Sequence, residues 1–90
     1  MLTPAERKAL KAKAHKLEPI VRIGAKGLTG ELIAEIDRAL RAHELIKVRA
    51  GALDRDARGD AFDSICQKTG AEAVQQVGKI LVIFRRKPDA

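Results

Sequence analysis

Apolar positions along this 90-residue chain switch between two periods, near 3.6 and near 2 residues, which predicts helices alternating with strands. The first helix opens on a strong start signal: Thr3 as N-cap, Pro4 at the first helical position and Glu6 three residues after the cap. Beyond it, Leu10, Ala14 and Leu17 share one stripe, while Arg7, Lys8, Lys11 and His15 share another. Pro19 then stops the helix and starts an extended, β-branched segment over residues 20–23. Thr29 is the N-cap of a second helix, with Leu28 and Ile33 spaced as a hydrophobic staple. Leu32, Ile33, Ile36, Ala39 and Leu40 give that helix one clean apolar face, and Glu31, Glu35, Asp37, Arg38 and Arg41 point elsewhere. Residues 46–50 alternate, with Ile46, Val48 and Ala50 on one side and Lys47 and Arg49 on the other, so the sheet is expected to keep a face that can stay wet.

A third helix is expected over about residues 56–69, burying Ala61, Phe62, Ile65 and Cys66 before Gly70 ends it, although Gly59 weakens its first turn. Two closing strands, about 73–77 and 79–85, flank Gly78 in the manner of a tight hairpin. The order α-β-α-β-α-β-β predicts an α+β fold, a two-layer sandwich with a four-stranded mixed sheet. Its first strands pair in parallel through a helical crossover, and an antiparallel hairpin is added. The length suits a single domain over residues 1–86, with 87–90 as a loose C-terminal tail.

Charge changes this picture more than composition does. The net charge is +6, and its excess sits at the two ends: residues 1–26 hold seven Lys or Arg against two Glu, residues 27–84 eight against nine acids, and residues 85–90 three against one. A basic patch is the footprint expected of a phosphate-binding surface, because neutralising phosphates releases condensed counterions. A cationic helix stripe by itself is as often a solvated face. One cysteine, Cys66, cannot form an internal disulfide and suits a reducing cytoplasm. No membrane span or signal peptide is expected, since the longest apolar run is residues 80–84.

The chemistry concentrates at Gly24, Ala25, Lys26 and Gly27, between the extended run and the second helix. Two glycines bracketing a lysine at a strand end let backbone amides and one cation approach a phosphate, and the incoming helix aims unpaired N–H groups the same way. Arg22, on the strand that leads into the turn, is a supporting charge. A GxxG tetrapeptide on its own is weak, since many tight β-to-α turns carry one by chance.

The surrounding text makes it specific. A basic first helix, LEPIVRIGAKGLT, a polar-apolar helix and HELIKVR at 43–49 together resemble the CRM domain family, named for chloroplast RNA splicing and ribosome maturation. The likeness runs from about Leu2 to Phe84 and is strongest to the bacterial stand-alone, YhbY-like members. It implies an architecture similar to the C-terminal domain of translation initiation factor three, a GxxG loop that binds RNA, and association with ribosomal RNA in a large-subunit precursor. On that reading Gly24, Ala25, Lys26, Gly27 and Arg22 form the centre of the site. Arg7, Lys8 and Lys11 on the first helix and Lys47 and Arg49 on the exposed strand face extend it, and Arg85, Arg86 and Lys87 could add to it.

Other functions find less support. The chain has no Tyr or Trp, and Phe62 and Phe84 fall in apolar patterns, so stacking on aromatic platforms is expected to be minor beside shape and backbone contacts. His15, His43 and Cys66 lack metal-ligand spacing, and no Walker loop, GxGxxG or CxxC is present. The reading is therefore a monomeric, non-catalytic protein without cofactor or metal. A DNA-binding domain would need a recognition helix, and the second helix offers only Arg38 and Arg41 amid acids. A protein-interaction module would use the open sheet face.

Overall fold

The structure is a computed structural model and describes residues 2–87. Helix α1 (Pro4–Ala14) carries the full capping box: the Thr3 hydroxyl accepts from the Glu6 N–H, and the Glu6 carboxylate accepts from the Thr3 N–H. That local bonding lowers the Glu6 pKa, with the backbone N–H of Thr3 as the main cause. The helix stops sooner than its stripe. Lys16 and Leu17 donate to the carbonyls of Lys13 and Ala14, three residues back, and this tighter winding turns Leu17 off the Leu10–Ala14 line, leaving it 39% exposed.

Strand β1 (Val21–Arg22), helix α2 (Gly30–His43), strand β2 (Leu45–Arg49), helix α3 (Arg55–Thr69) and strands β3 (Glu72–Val77) and β4 (Ile80–Phe84) follow in the expected order. The sheet order is β1-β2-β4-β3. β1 runs parallel to β2, and β4 pairs antiparallel with both β2 and β3. The fold is thus α+β with a four-stranded mixed sheet. The regular part of β1 is shorter than the extended run, although the N–H groups of Ile20 and Ile23 still reach Lys47 O at 3.1 Å and Arg49 O at 2.8 Å.

Local chemistry explains the joints. Asp54 caps α3, its carboxylate accepting from the Ala57 N–H at 2.8 Å, so that helix starts at Arg55 despite Gly59. Only Glu44 separates α2 from β2, and the direct turn puts it at φ 64°, an unfavourable region for a side-chain-bearing residue. Its neighbours hold it there: the Glu44 N–H donates to Leu40 O, and its carbonyl accepts from the Arg85 N–H.

Side chains sort cleanly between the two faces of the sheet. One face is a dry aliphatic core in which Ile23, Ile36, Val48, Ile65, Leu81 and Ile83 are fully buried beneath α2 and α3. The other was expected to stay wet, and here the structure corrects the expectation in part. Helix α1 lies across it, packing Leu2, Leu10 and Ala14 against Leu45, Val74 and Val82. Alternation within a single strand shows only that a face is less apolar, not whether another element covers it.

The C-terminal cations also differ from expectation. Arg85 is not available as a contact residue: its guanidinium is largely buried, donating to Asp37 Oδ1 at 2.7 Å, Thr69 O at 2.7 Å and Asp37 O at 3.2 Å. Arg86 pairs with Glu6 and lies over the Phe84 ring, 5.9 Å from its centre. Lys87 donates its N–H to Glu44 Oε2 at 2.8 Å, and the rest of the expected tail, 88–90, lies outside the described residues.

Candidate nucleic-acid interface

The Gly24–Gly27 turn closes on one backbone bond, from the Gly27 N–H to the Gly24 carbonyl at 3.0 Å. Ala25 and Lys26 occupy its centre, both exposed, and their amides have no acceptor among the described residues. The two glycines serve different ends. Gly27 has φ +74°, where a side chain is strained, whereas Gly24 needs no positive φ. A Cβ on Gly24 would meet nothing within 4 Å, so what its bare backbone offers is open approach from outside. Thr29 then caps α2 through the Leu32 N–H at 3.1 Å, so the helix begins three residues after the turn, with the first helical amides free of intrahelical acceptors.

Strand register decides which cations join the turn. Arg22 lies opposite Arg49, and both are exposed on the face that α1 partly covers. Arg49 lies opposite Ile80, and Ile80 opposite Val77, so one row crosses the whole sheet as Arg22, Arg49, Ile80, Val77. The next row is Lys47, Val82, Gln75. The first row stands at the same sheet end as the turn, because Ile23 at its entrance bonds to Arg49.

Lys79 is a member of this group that sequence reasoning missed. Its carbonyl accepts from the Ala50 N–H at 2.7 Å, and a Cβ on Gly51 would lie 3.5 Å from the Lys79 stem and 3.7 Å from Arg49 Nε, so Lys79 and Arg49 flank the same glycine. The only sequence signal was a lysine directly after the hairpin glycine. Arg58 fixes the hairpin from behind, donating to Gly78 O at 3.1 Å and Leu53 O at 3.2 Å.

The helix cations divide. Lys11 is exposed and shares a cavity with half-buried Lys47 and with His15. Lys8 is exposed, and nothing in the structure ties it to the turn. Arg7 is half-buried and donates to the Ala73 carbonyl at the far sheet edge, so it braces α1 as much as it offers charge. Opposite this surface, α2 and α3 expose Glu31, Glu35, Asp56, Asp60 and Asp63 beside Arg38, Arg41, Arg55 and Lys68, so charge there nearly cancels. The net positive charge is thereby pushed toward the α1 side.

Among the described residues no three His, Cys, Asp or Glu side chains are grouped to hold a metal ion, and no helix is long and apolar enough to cross a membrane. Cys66 packs against the dry core, and burial pushes its thiol pKa up, with smaller contributions from Asp63 and Glu72.

With the turn, the arginine row and the fold in place, comparison with known proteins is decisive. The family model described as the CRS1/YhbY (CRM) domain matches residues 2–85. The chain belongs to the CRM domain family. Its relatives include an RNA-binding protein of Haemophilus influenzae, 40% identical over 99% of this chain and 90% of that one. Another, named a probable RNA-binding protein, comes from Pseudomonas aeruginosa and is 37% identical over 97% of this chain and 84% of the relative. The CRM match extends to the chloroplastic CRS2-associated factor 1 of Zea mays, 30% identical over 92% of this chain but only 11% of that much longer protein. Among solved structures, the solution structure of a Staphylococcus aureus protein provisionally assigned to RNA binding superposes with a TM-score of 0.84 at 33% identity, covering 97% of this chain and 91% of that one.

Proposed function

We propose that this CRM domain is a non-catalytic, monomeric RNA-binding protein of the cytoplasm that holds folded ribosomal RNA in a large-subunit precursor and assists assembly. The observation that carries the reading is Lys26, exposed at the tip of a turn whose bare glycine backbone is open to approach, at the same sheet end as Arg22, Arg49 and Lys79. The names of relatives that match nearly the whole chain support RNA as the partner. Phosphates meet the lysine and the free amides of the turn, while the arginine row extends the contact along the backbone. Shape and charge supply most of the affinity, as suits a structured RNA whose deep groove side chains cannot read. Because α1 occupies much of the second sheet face, less of that face remains for a purely protein-binding role.

Two measurements test this. Lys26→Ala should weaken binding to structured RNA and lower the logarithmic salt slope by about 1, with an unchanged melting curve. Sucrose-gradient profiles of cell extract should show the protein travelling with large-subunit precursors. Sedimentation only at the top of the gradient defeats the ribosomal assignment, and normal binding by a folded Lys26→Glu protein defeats the role of the turn.

A further inference from the structure

Between α1 and the β3–β4 hairpin the sheet carries a cavity of ≈ 310 Å³ that the turn itself does not use. We propose that it seats the base of one unpaired nucleotide, next to the phosphates held by the arginine row. This rests on the RNA-binding reading and adds to it: a preference for RNA with an extruded base over perfectly paired RNA.

The argument comes from the order of side chains across the sheet. Along the row Arg22, Arg49, Ile80, Val77, chemistry changes from cationic on β1 and β2 to aliphatic on β4 and β3. A nucleotide has the same polarity, with an anionic phosphate at one end and a flat apolar face at the other. Val77 is 54% exposed, unusual for a valine in a β-strand, and with Ile80 and Val82 it forms the floor of the cavity. Lys11, His15 and Lys47 stand on the rim, and Gln75 is half-buried at the edge. An amide beside an apolar floor suits the donor and acceptor pattern on a base edge. The volume lies at the small end of the range of about 300–1,000 Å³ typical of small-molecule sites, enough for a base but not for a helix or a folded loop. Lys11 and Lys47 on the rim argue for a ligand that carries a phosphate beside the seated base, and against a neutral apolar peptide.

The seat is aliphatic rather than aromatic, so the gain is expected to be modest beside that of stacking on Phe, Tyr or Trp. The test compares three RNA hairpins of one sequence at one salt concentration: fully paired, with a single-nucleotide bulge, and with an abasic residue in that bulge. The bulged hairpin should bind about fivefold tighter than the abasic one. Val77→Asp, at an exposed position that tolerates a polar side chain, should abolish that difference, as should Gln75→Ala in part. Lys26→Ala should weaken all three hairpins by a similar factor. Methyl resonances of Val77, Ile80 and Val82 should shift with the bulged hairpin and not with the abasic one. Equal binding of bulged and abasic hairpins by the native protein, or a preference that survives Val77→Asp, overturns the base seat while leaving the phosphate-binding turn intact. Failure to bind any of the three overturns the RNA-binding reading itself.

Discussion

The two faces of the sheet solve different problems with the same strands. Under α2 and α3 the buried positions are branched aliphatics or alanine, and Ile23, Ile36, Val48, Ile65, Leu81 and Ile83 lose all contact with water. Under α1 the cover is partial. Leu45, Val74 and Val82 are buried beneath Leu10 and Ala14, but the adjacent row keeps Arg22, Arg49 and Val77 exposed. The first face fixes the fold, and the second divides its area between holding α1 and offering chemistry. Mutations should therefore separate, with the greater loss of stability from the first face and the loss of binding from the exposed row of the second.

The largest effect expected is at Ile36. Ile36→Ala should cost about 2–5 kcal/mol in urea unfolding, since it opens a cavity in a fully dry core. Leu10→Ala should cost less, about 2–3 kcal/mol, because Leu10 sits at the margin of the second core, 9% exposed, where neighbours and water can relax around the gap. If Leu10→Ala proved as damaging as Ile36→Ala, the division between the faces would be wrong. Hydrogen exchange should show the loss concentrated in α1.

Arg85 bridges α2, the end of α3 and β4, and Arg85→Ala should cost about 1.5–3 kcal/mol. It also carries a pH signature. The hydrogen bond from Arg85 is the main cause of the lowered Asp37 pKa, with Arg41 and Arg38 adding charge. A carboxylate depressed in the folded state binds fewer protons there than when unfolded, so its contribution is complete above the unfolded pKa and is lost as pH falls through the folded one. Unfolding midpoints followed from neutral to strongly acidic pH should therefore decline less steeply in Arg85→Ala than in the native protein.

The smallest stability effects are expected at the turn, where the two glycines can be set against each other. Gly27→Val places a β-branched residue at φ +74° and should cost about 1–3 kcal/mol as well as binding. Gly24→Ala meets no neighbour and no positive φ, so its thermal midpoint should stay within the equivalent of about 0.5 kcal/mol while RNA affinity falls. A Gly24→Ala protein that binds normally would show that close backbone approach at that position is not used.

Much of this was legible in the residues. Thr3, Pro4 and Glu6 announce α1, Thr29 announces α2, and the aliphatic spacing of residues 32–40 and 46–50 identifies the dry core and its strand. The GAKG turn and the family likeness were equally readable, because both reside in contiguous text. Less was legible at joints and surfaces. Nothing at Glu44 resembles a helix stop, since the reason for its positive φ is the single-residue distance to β2 and the hydrogen bonds that hold it. Leu17 fits the stripe of α1 by count and leaves it because the last turn tightens.

Sequence alone determined the elements, their order and the cationic turn, because caps, periodicity and glycine placement act over three or four residues. Tertiary structure decided which charges are free. Arg85 and Arg86 look like a basic tail until Asp37 and Glu6 engage them, and Lys79 looks unremarkable until the hairpin sets it beside Arg49. It also decided that α1 shelters part of a sheet face and leaves two arginines in a row that grades into valine. Such pairings join residues 27 to 80 positions apart, and their register is set by strand pairing and burial, which local pattern does not encode.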